Sequence, residues 1–419
     1  MDYVIIGNGP AGVIAAETLR KTDPSGKIAL IGDEPEPPYS RMAIPYLLVG
    51  DIQEEGTYLR KDKNHFEALG VEMIVARATN VDSANKQVTL DNGRQLAYDR
   101  LLVASGAYPV APPIPGVDLP GVYPCWTMEN ARAIAKLAKP GARVLQMGAG
   151  FIGCIIMQAL ANSGVKLTVV EMGNRMVPRM MTEGAGGLIK KWVQTKGIQV
   201  FTSTRVEAIE KGTGDALRVK LSSGEVMEFD LVISATGVRS NVSFLEGSGV
   251  KTDEGVLVDD QMCSNVPEIF AAGDVAQARD FLTGKMMVNA IQPNAADQAR
   301  LAALNMAGKV TRSQGSLAMN VLDTVGLIAS SFGQWWGAEE GGEHAELIDD
   351  VNFRYLRLEF KDDVLIGATS LGLTQHVGVL RGLIQTRVHL GEWKDKLLHD
   401  PTRIMEAYLA QAQAATIVA

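Results

Sequence analysis

The chain has 419 residues, 46% of them hydrophobic and 21% charged, with a formal net charge of −8. These are values of a globular protein of two or three domains. The acidic balance leaves no basic footprint for nucleic acid, and no apolar run approaches the about 20 residues of a membrane-spanning helix.

The three cysteines, Cys125, Cys154 and Cys263, are far apart and form no C-x-x-C pair. This spacing argues against a disulfide framework, an iron–sulfur site or a zinc site within the chain. Because the first strand-like run begins at residue 2, no signal peptide is expected before it. A reducing cytoplasm is the compartment that fits best.

The first residues predict a strand, a glycine turn and a helix. Residues 2–6 form a short apolar run rich in β-branched side chains, which is typical of a buried parallel strand. The run Gly7-Asn8-Gly9-Pro10-Ala11-Gly12 follows with the spacing G-x-G-x-x-G, and residues 13–20 continue as a helix. In this motif the first glycine allows the turn, the second lets the backbone approach a pyrophosphate, and the third lets the helix pack closely.

A second predicted strand, residues 27–31, ends in Gly32-Asp33-Glu34. An acid at this place accepts hydrogen bonds from a ribose hydroxyl. Strand, helix and acid together favour a dinucleotide site over an ordinary glycine-rich turn.

The next segment, residues 35–46, holds four prolines, which we expect to exclude both helix and central strand. Within it Arg41 has two interpretations, a phosphate ligand or a solvated loop arginine.

Short strands are predicted over residues 71–75, 87–90 and 95–96, with Asn92-Gly93 as a hairpin turn. A further strand ends in Ala104-Ser105-Gly106, whose small side chains let a backbone pass close to a ligand. Residues 107–121 carry five prolines and are interpreted as a domain crossing.

The opening pattern then repeats. A strand over residues 143–147 leads into Gly148-Ala149-Gly150-Phe151-Ile152-Gly153 and a helix over 154–163, and the strand 166–170 ends in Glu171. Glu171 follows Gly148 by 171 − 148 = 23 residues, close to the roughly 20 expected for such an acid. Two fingerprints imply two dinucleotides. A carboxylate at this place repels a 2′-phosphate and favours NAD over NADP, although Arg175 could soften that preference.

Residues 231–234 form another predicted strand, and the Ala235-Thr236-Gly237 that follows parallels residues 104–106. A strand closing on Gly273-Asp274 and a helix over 293–307 come next. From about residue 314 the sequence predicts strands at 317–322, 353–360 and 365–369 and helices at 377–385 and 402–413. This pattern is typical of an α+β cap or dimerisation domain.

The combined motifs resemble the FAD- and NAD(P)-dependent pyridine nucleotide-disulfide oxidoreductases, in particular the ferredoxin, rubredoxin and nitrite reductase flavoproteins. They span residues 1 to about 308. The resemblance implies an α/β fold of two Rossmann-like domains, with the NAD domain inserted in the FAD domain, and an α+β C-terminal domain. The implied boundaries are 1–110 and 241–313 for FAD, 111–240 for NAD, and 314–419 for an interface or dimerisation domain.

Site residues are also implied by the resemblance. The first fingerprint with Asp33, Glu34 and Arg41 would hold FAD, Asp274 would bind its ribityl chain, and the second fingerprint with Glu171 would hold NAD. The helix after Gln292 would point its positive end at the isoalloxazine ring. The full set of cofactor-binding positions is Gly7, Gly9, Pro10, Ala11, Gly12, Asp33, Glu34, Arg41, Tyr46, Ala78, Ala104, Ser105, Gly106, Gly148, Gly150, Phe151, Ile152, Gly153, Glu171, Gly237, Gly273, Asp274 and Gln292.

The chain departs from the family pattern at two places. Met42 stands where NADH oxidases, peroxidases and coenzyme A disulfide reductases of this class carry a redox cysteine. Because a thioether forms neither a sulfenic acid nor a mixed disulfide, those activities are rejected. Ile155 replaces a glutamate that meets the nicotinamide, and Tyr46 lies near its lysine partner's position. Either NAD binding is weak or backbone groups set the hydride geometry. Tyr46 either stacks near the flavin or packs in its loop.

The expected function is hydride exchange between NAD(H) and FAD, with single electrons passing to or from a separate iron–sulfur protein. The tail from Gly378 to Lys394 resembles flavin subunits of multi-subunit complexes, most specifically tungsten-dependent aldehyde oxidoreductases. The alternatives are a stand-alone NADH:ferredoxin or rubredoxin reductase and, because of Ile155, a non-catalytic flavin-binding subunit. A flavin monooxygenase has no positive feature. The C-terminal domain would mediate a homodimer or dock another subunit.

Overall fold

The computed structural model describes residues 1–418, which divide into two compact units. Unit 1 combines residues 1–108 with 238–317, and unit 2 combines residues 109–237 with the segment from 318 onward. The chain therefore passes between the units near residues 108, 237 and 317. The three domain boundaries expected from the sequence, after residues 110, 240 and 313, stay a prediction.

The regular elements follow in chain order. The strands are β1 Asp2–Ile6, β2 Lys27–Gly32, β3 Val71–Val75, β4 Ala78–Asp82, β5 Gln87–Leu90, β6 Gln95–Ala97, β7 Arg100–Val103, β8 Ala107–Pro109, β9 Val122–Pro124, β10 Arg143–Met147, β11 Lys166–Val170, β12 Gln199–Phe201, β13 Val206–Lys211, β14 Leu217–Leu221, β15 Val226–Phe229, β16 Leu231–Ser234, β17 Val238–Ser240, β18 Val256–Leu257, β19 Ile269–Ala271, β20 Ala276–Arg279, β21 Met286–Met287, β22 Met319–Thr324, β23 Leu327–Gly333, β24 Gly342–Asp349, β25 Arg354–Lys361 and β26 Val364–Leu371.

The α-helices are α1 Pro10–Thr22, α2 Ile44–Val49, α3 Glu54–Thr57, α4 His65–Ala68, α5 Met128–Leu137, α6 Phe151–Asn162, α7 Glu183–Thr195, α8 Gln292–Met306, α9 Val377–Thr386, α10 Glu392–His399 and α11 Ile404–Val418. Short 3₁₀ helices cover Arg41–Ala43, Ser243–Leu245 and Pro401–Arg403.

Unit 1 is built on a parallel sheet with the strand order β19-β7-β1-β2-β3. Its central strands bury nearly every side chain, because helices α1 and α8 contribute apolar faces to the same core. A continuous apolar strand such as β1 is what a sheet covered on both faces requires. The first glycine turn lies at the carboxyl end of this central strand.

Unit 2 contains a second parallel sheet, ordered β12-β11-β10-β16-β9, and an antiparallel sheet, ordered β22-β23-β26-β25-β24. The register of β10 with β11 and β16 places the second glycine turn at the carboxyl end of β10, as the first turn lies after β1. Two parallel sheets with crossover helices confirm the predicted α/β class and its two Rossmann-like halves.

The proline-rich segment differs from the prediction that its prolines exclude a helix. Residues Arg41–Ala43 form a 3₁₀ helix and α2 begins at once, with Pro45 in its first turn. Proline is tolerated there because a first-turn N–H has no partner within the helix.

A hydrogen-bond chain joins the antiparallel sheet to α7 within unit 2. The Tyr355 hydroxyl donates to the Glu346 carboxylate and accepts a 2.6 Å hydrogen bond from the hydroxyl of Thr182. Thr182 is in turn the N-cap of α7 and accepts from the backbone N–H of Ala185. Since Tyr355 is fully buried, its hydroxyl has no water to replace these partners.

Replacing Tyr355 with Phe should therefore destabilise unit 2. The variant leaves Thr182 and Glu346 each short of a partner, a loss of about 1–3 kcal/mol. For a unit of this size that lowers Tm by about 2–4 °C per kcal/mol. Thermal unfolding measures the change, and Tyr408→Phe, at an exposed tyrosine, is the matched control. Equal Tm values for the two variants would contradict the proposed contribution of the hydrogen-bond chain.

Candidate functional site

The two glycine turns share one steric feature. Gly7 has φ +110°, and a Cβ placed on it would lie 2.1 Å from the carbonyl oxygen of Ala104. Gly148 has φ +95°, and its Cβ would lie 2.4 Å from the carbonyl oxygen of Ala235. Both distances are far below van der Waals contact, so each turn passes a neighbouring strand end at a separation that only glycine permits. The parallel between Ala104-Ser105-Gly106 and Ala235-Thr236-Gly237 has its physical basis here.

The other glycines of each fingerprint behave as the motif predicts. A Cβ on Gly12 would lie 1.8 Å from the Gly7 carbonyl oxygen, and one on Gly153 would lie 2.5 Å from that of Gly148. By contrast, a Cβ on either middle glycine, Gly9 or Gly150, would meet nothing within 4 Å. The third glycines serve helix packing, whereas the middle glycines face open space.

Helices α1 and α6 begin directly at these open positions. Gly9 and Gly150 are their N-caps, and neither helix start receives a side-chain capping hydrogen bond. Their first N–H groups thus remain available for an anion, which the positive end of a helix attracts. Pro10, Ala11, Phe151 and Ile152 lie in the first turns of these two helices. The geometry fits one dinucleotide diphosphate at each turn.

Asp274 is the most distinctive acid of unit 1. It follows Gly273, lies mostly out of solvent, and receives no hydrogen bond to its carboxylate from any residue that the structure describes. Burial raises the pKa of this carboxyl, while the positive charge of Arg41 acts in the opposite direction. A carboxylate in this condition is ready to accept ligand hydroxyls.

Glu34 and Arg41 form an ion pair. The Glu34 carboxylate accepts hydrogen bonds from Arg41 Nη2 at 2.8 Å and from the Tyr39 hydroxyl at 2.6 Å. Arg41 Nη1 also donates to the carbonyl oxygen of Ala107 at 3.3 Å. Nearby in the chain, the Ser40 hydroxyl donates to the side chain of Gln292, the first residue of α8. This segment is therefore tied to the helix whose N-terminus was expected to face the flavin.

Other predicted positions in unit 1 have different surroundings. Asp33 is exposed and pairs with Arg77 at 3.2 Å, and Tyr46 is 58% exposed on α2. Ala78 is buried at the start of β4. The Ser105 hydroxyl donates to the carbonyl oxygen of Asn241 at 2.7 Å, and Gly106 has φ +64°.

Glu171 holds the second glycine turn in place. Its carboxylate accepts the backbone N–H of Ala149 and that of Gly173, each at 2.7 Å. The carbonyl oxygen of Ala149 in turn accepts the N–H of Val177 at 2.8 Å. The acid predicted as a ribose ligand thus also organises the loop around it, a role that the sequence pattern did not reveal. Each carboxylate oxygen retains a lone pair for a further donor.

Arg175 is occupied within its own loop. Its guanidinium donates to the carbonyl oxygens of Met181 and Pro178 and to the side chain of Asn174. These contacts hold the Arg175 guanidinium within its loop, so the predicted preference of Glu171 for NAD over NADP stays a prediction. At the neighbouring strand end, Gly237 has φ +118° and its carbonyl oxygen accepts the N–H of Val110.

The thiols are unsuited to redox chemistry at neutral pH. Burial raises the pKa of Cys125 and of Cys154 to about 12. Burial, with a smaller contribution from the charge of Asp259, raises that of Cys263 to about 11. Since the thiolate is the reactive form, none is poised to form a mixed disulfide, and Met42 lies 45% exposed in the place of the family cysteine.

The described residues contain neither a metal-binding cluster nor a membrane-spanning helix. Within them no group of three or more His, Cys, Asp and Glu side chains is arranged to hold a metal ion. None of the helices described is both long enough and apolar enough to cross a bilayer.

Sequence reasoning missed two polar contacts beside Asp274. The side-chain oxygen of Gln298 accepts the N–H of Gly273 at 2.9 Å, and the Ser240 hydroxyl donates to the carbonyl oxygen of Asp274 at 2.9 Å. A glutamine among the alanines of α8 was the available signal.

Several known proteins are similar to this chain in sequence or in structure. Subunit epsilon of the NADH-dependent phenylglyoxylate dehydrogenase of Aromatoleum evansii is 30% identical over 98% of this chain and 97% of its own length. An NADH oxidase of Methanocaldococcus jannaschii is 32% identical over 74% of this chain and 70% of its own. The solved ferredoxin reductase for the CYP199A2 system of Rhodopseudomonas palustris superimposes with a TM-score of 0.81 at 26% identity, over 88% of this chain and 91% of that one.

A family model described as pyridine nucleotide-disulphide oxidoreductase matches residues 1–299. This match covers both glycine turns, Glu171 and Asp274, and it confirms the predicted oxidoreductase class with FAD and NAD as cofactors. The chain belongs to the pyridine nucleotide-disulphide oxidoreductase family.

Proposed function

We propose that this oxidoreductase exchanges hydride with NAD(H) and passes single electrons to or from a separate iron–sulfur protein. The observation that carries the proposal is the pair of open, uncapped glycine turns in a chain whose thiols have raised pKa values. Two dinucleotides fit these turns, while an internal dithiol relay does not fit the thiols. The similarity to a ferredoxin reductase supports an iron–sulfur partner.

In unit 1 the α1 N-terminus would bind the FAD diphosphate, and Asp274 would accept hydrogen bonds from the ribityl hydroxyls. Glu34 and Arg41 would lie beside the same cofactor as an ion pair. The uncapped N-terminus of α8 would favour negative charge on the ring. When bound, FAD supplies two-electron exchange with the nicotinamide and one-electron exchange with a partner.

In unit 2 the α6 N-terminus would bind the NAD diphosphate, and Glu171 would accept the ribose hydroxyls. A 2′-phosphate at that place would meet a carboxylate already fixed by two backbone N–H groups. Because such a carboxylate cannot turn away, repulsion of NADP would be strong. Ile155, partly exposed on α6, leaves orientation of the nicotinamide to backbone groups.

We also infer that the chain works in the cytoplasm as the flavin subunit of a multi-subunit complex. Full-length similarity to a dehydrogenase subunit supports this assignment. That relative is named for phenylglyoxylate, whereas the tail pattern pointed to an aldehyde oxidoreductase, and the substrate stays a prediction.

A stand-alone ferredoxin or rubredoxin reductase is the second candidate, favoured by the similarity to the solved ferredoxin reductase. Dimerisation or docking through residues 314–419 stays part of the proposal.

The first test is anaerobic rapid mixing of the FAD-loaded protein with NADH and, separately, with NADPH. We expect NADH to bleach the oxidised flavin quickly and NADPH to do so slowly. Oxidised ferredoxin or rubredoxin should then restore the absorbance faster than oxygen does. If neither coenzyme bleached bound FAD, the chain would be a non-catalytic flavin subunit. If oxygen were the fastest acceptor, the oxidase activity named for the Methanocaldococcus relative would take precedence.

Two alanine variants separate ligand contact from folding at the first turn. Gly9→Ala adds a methyl group where no atom lies within 4 Å, so the FAD-free protein should fold normally. FAD affinity should fall about 10- to 100-fold, as expected if one or two charge-assisted hydrogen bonds are disturbed. Gly12→Ala, whose Cβ would meet a carbonyl oxygen at 1.8 Å, should instead lower Tm. FAD titration and thermal unfolding measure the two effects, and unchanged affinity in Gly9→Ala would rule out a diphosphate at this turn.

Asp274→Asn should stabilise the FAD-free protein and weaken its binding of FAD. Burial raises the pKa of Asp274 in the folded FAD-free protein, so the folded state favours the protonated acid and loses stability as pH rises through that pKa. The asparagine variant should therefore raise Tm of the FAD-free protein at pH 7. The gain should vanish below about pH 4, where the unfolded acid is also protonated.

The same variant should bind FAD about 10- to 100-fold more weakly, because hydrogen bonds to a carboxylate are stronger than those to an amide. Tm measured from about pH 4 to pH 7 checks the effect on stability. An FAD titration checks the effect on affinity. A variant that lost stability at pH 7 would show that Asp274 has protein partners.

A further inference from the structure

The dipeptide Gly273-Asp274 is held at both ends by hydrogen bonds between its backbone and side chains. At one end the N–H of Gly273 donates to the side-chain oxygen of Gln298 at 2.9 Å. At the other end the carbonyl oxygen of Asp274 accepts a 2.9 Å hydrogen bond from the Ser240 hydroxyl. Neither contact touches the Asp274 carboxylate, so both leave it open to a ligand while fixing the backbone from which it projects.

Gln298 is itself rigidly placed. Its side chain is only 4% exposed in the middle of α8, and its amide nitrogen donates to the Ser316 hydroxyl at 3.1 Å. The amide thus has its oxygen assigned to Gly273 and its nitrogen assigned to Ser316, which also fixes its orientation. A buried amide with both groups satisfied is costly to displace.

The backbone at Gly273 is confined on the remaining sides. Gly273 has φ +83°, and a Cβ placed on it would lie 3.3 Å from that of Ala11 in α1 and 3.6 Å from that of Ala295 in α8. Its carbonyl oxygen accepts the N–H of Ala276. The peptide therefore lies where α1 and α8 both approach the end of β19, with little room to turn.

We propose that Gln298 and Ser240 are positioning residues, which aim the Asp274 carboxylate at the ribityl hydroxyls of FAD. This inference rests on the role proposed above for Asp274. A carboxylate loses less conformational entropy on binding a ligand when the backbone that carries it is already fixed. Gln298 acts from the helix whose N-terminus would face the flavin ring, so one helix serves both the polyol chain and the ring.

The test compares FAD affinity in FAD-free protein carrying single substitutions. Gln298→Leu keeps the approximate size and removes both polar groups, and Ser240→Ala removes the second contact. Each should raise the Kd for FAD about tenfold, the loss expected if one charge-assisted hydrogen bond is weakened. Gln298→Glu keeps an oxygen for Gly273, and Ser316 can donate to its other oxygen, so this variant should recover most of the affinity. Ser316→Ala leaves the Gly273 contact but removes the partner of the Gln298 amide nitrogen, so it should raise the Kd less than Gln298→Leu does.

A double-mutant cycle with Asp274→Asn decides whether Gln298 acts through the acid. If it does, Gln298→Leu should change the Kd for FAD little in the Asp274→Asn background. The reason is that the effects of substitutions acting through one group are not additive. An equal loss in both backgrounds would assign Gln298 a merely structural role and overturn the proposal. If Gln298→Leu fails to fold, the same cycle with Ser240→Ala gives the answer.

Failure of this inference about Gln298 and Ser240 can be distinguished from failure of the proposed function. Wild-type protein that binds no FAD would refute the cofactor assignment and the inference together. Wild-type protein that binds FAD, with unchanged Kd in Gln298→Leu and Ser240→Ala, would refute the inference alone. Circular dichroism of each FAD-free variant confirms that the compared proteins are folded.

Discussion

Both glycine turns depend on a backbone oxygen that occupies the space where a side chain would lie. At the carboxyl end of β1 the oxygen belongs to Ala104, and at the carboxyl end of β10 it belongs to Ala235. The turn residue must be glycine, and the strand that supplies the oxygen must end in small residues. Once these conditions hold, each following helix starts beside its sheet with free N–H groups. The two glycine turns therefore share one local backbone geometry.

The sequence predicted the central strands well because their signal is local. Residues 2–6 and 143–147 are apolar runs that end in glycine, and the structure places strands at both. The strands of the C-terminal antiparallel sheet were harder to predict. Strand β24 is half polar and lacks a regular alternation over its whole length, so it is defined by its pairing with β25. Helix α7 contains three glycines, which lower helix propensity. Its contacts with the antiparallel sheet are long-range and were therefore invisible in the sequence.

At the candidate sites, too, local features were predictable from the sequence and long-range contacts were not. The family resemblance implied Asp274. Motif spacing was enough to select Glu171 as a candidate ligand, because the fingerprint fixes where an acid should follow the next strand. It could not show that Glu171 also holds the backbone of Ala149, since that contact depends on how a loop folds back. Nor could it choose between the two interpretations of Arg41, which the structure places in an ion pair with Glu34. Spacing predicts candidate ligands, whereas many of the groups that contact them come from distant parts of the chain.

The link between Tyr355 and the N-cap of α7 has an evolutionary consequence. The antiparallel sheet and the second parallel sheet belong to one compact unit, although unit 1 residues 238–317 separate them in sequence. Recombination between relatives at residue 317 would therefore cut through a shared hydrogen-bond chain. A new C-terminal segment without a hydroxyl able to meet Thr182 would lose this hydrogen-bond chain unless α7 changed with it. The tail and α7 should be inherited together, as an exchangeable part larger than the tail itself.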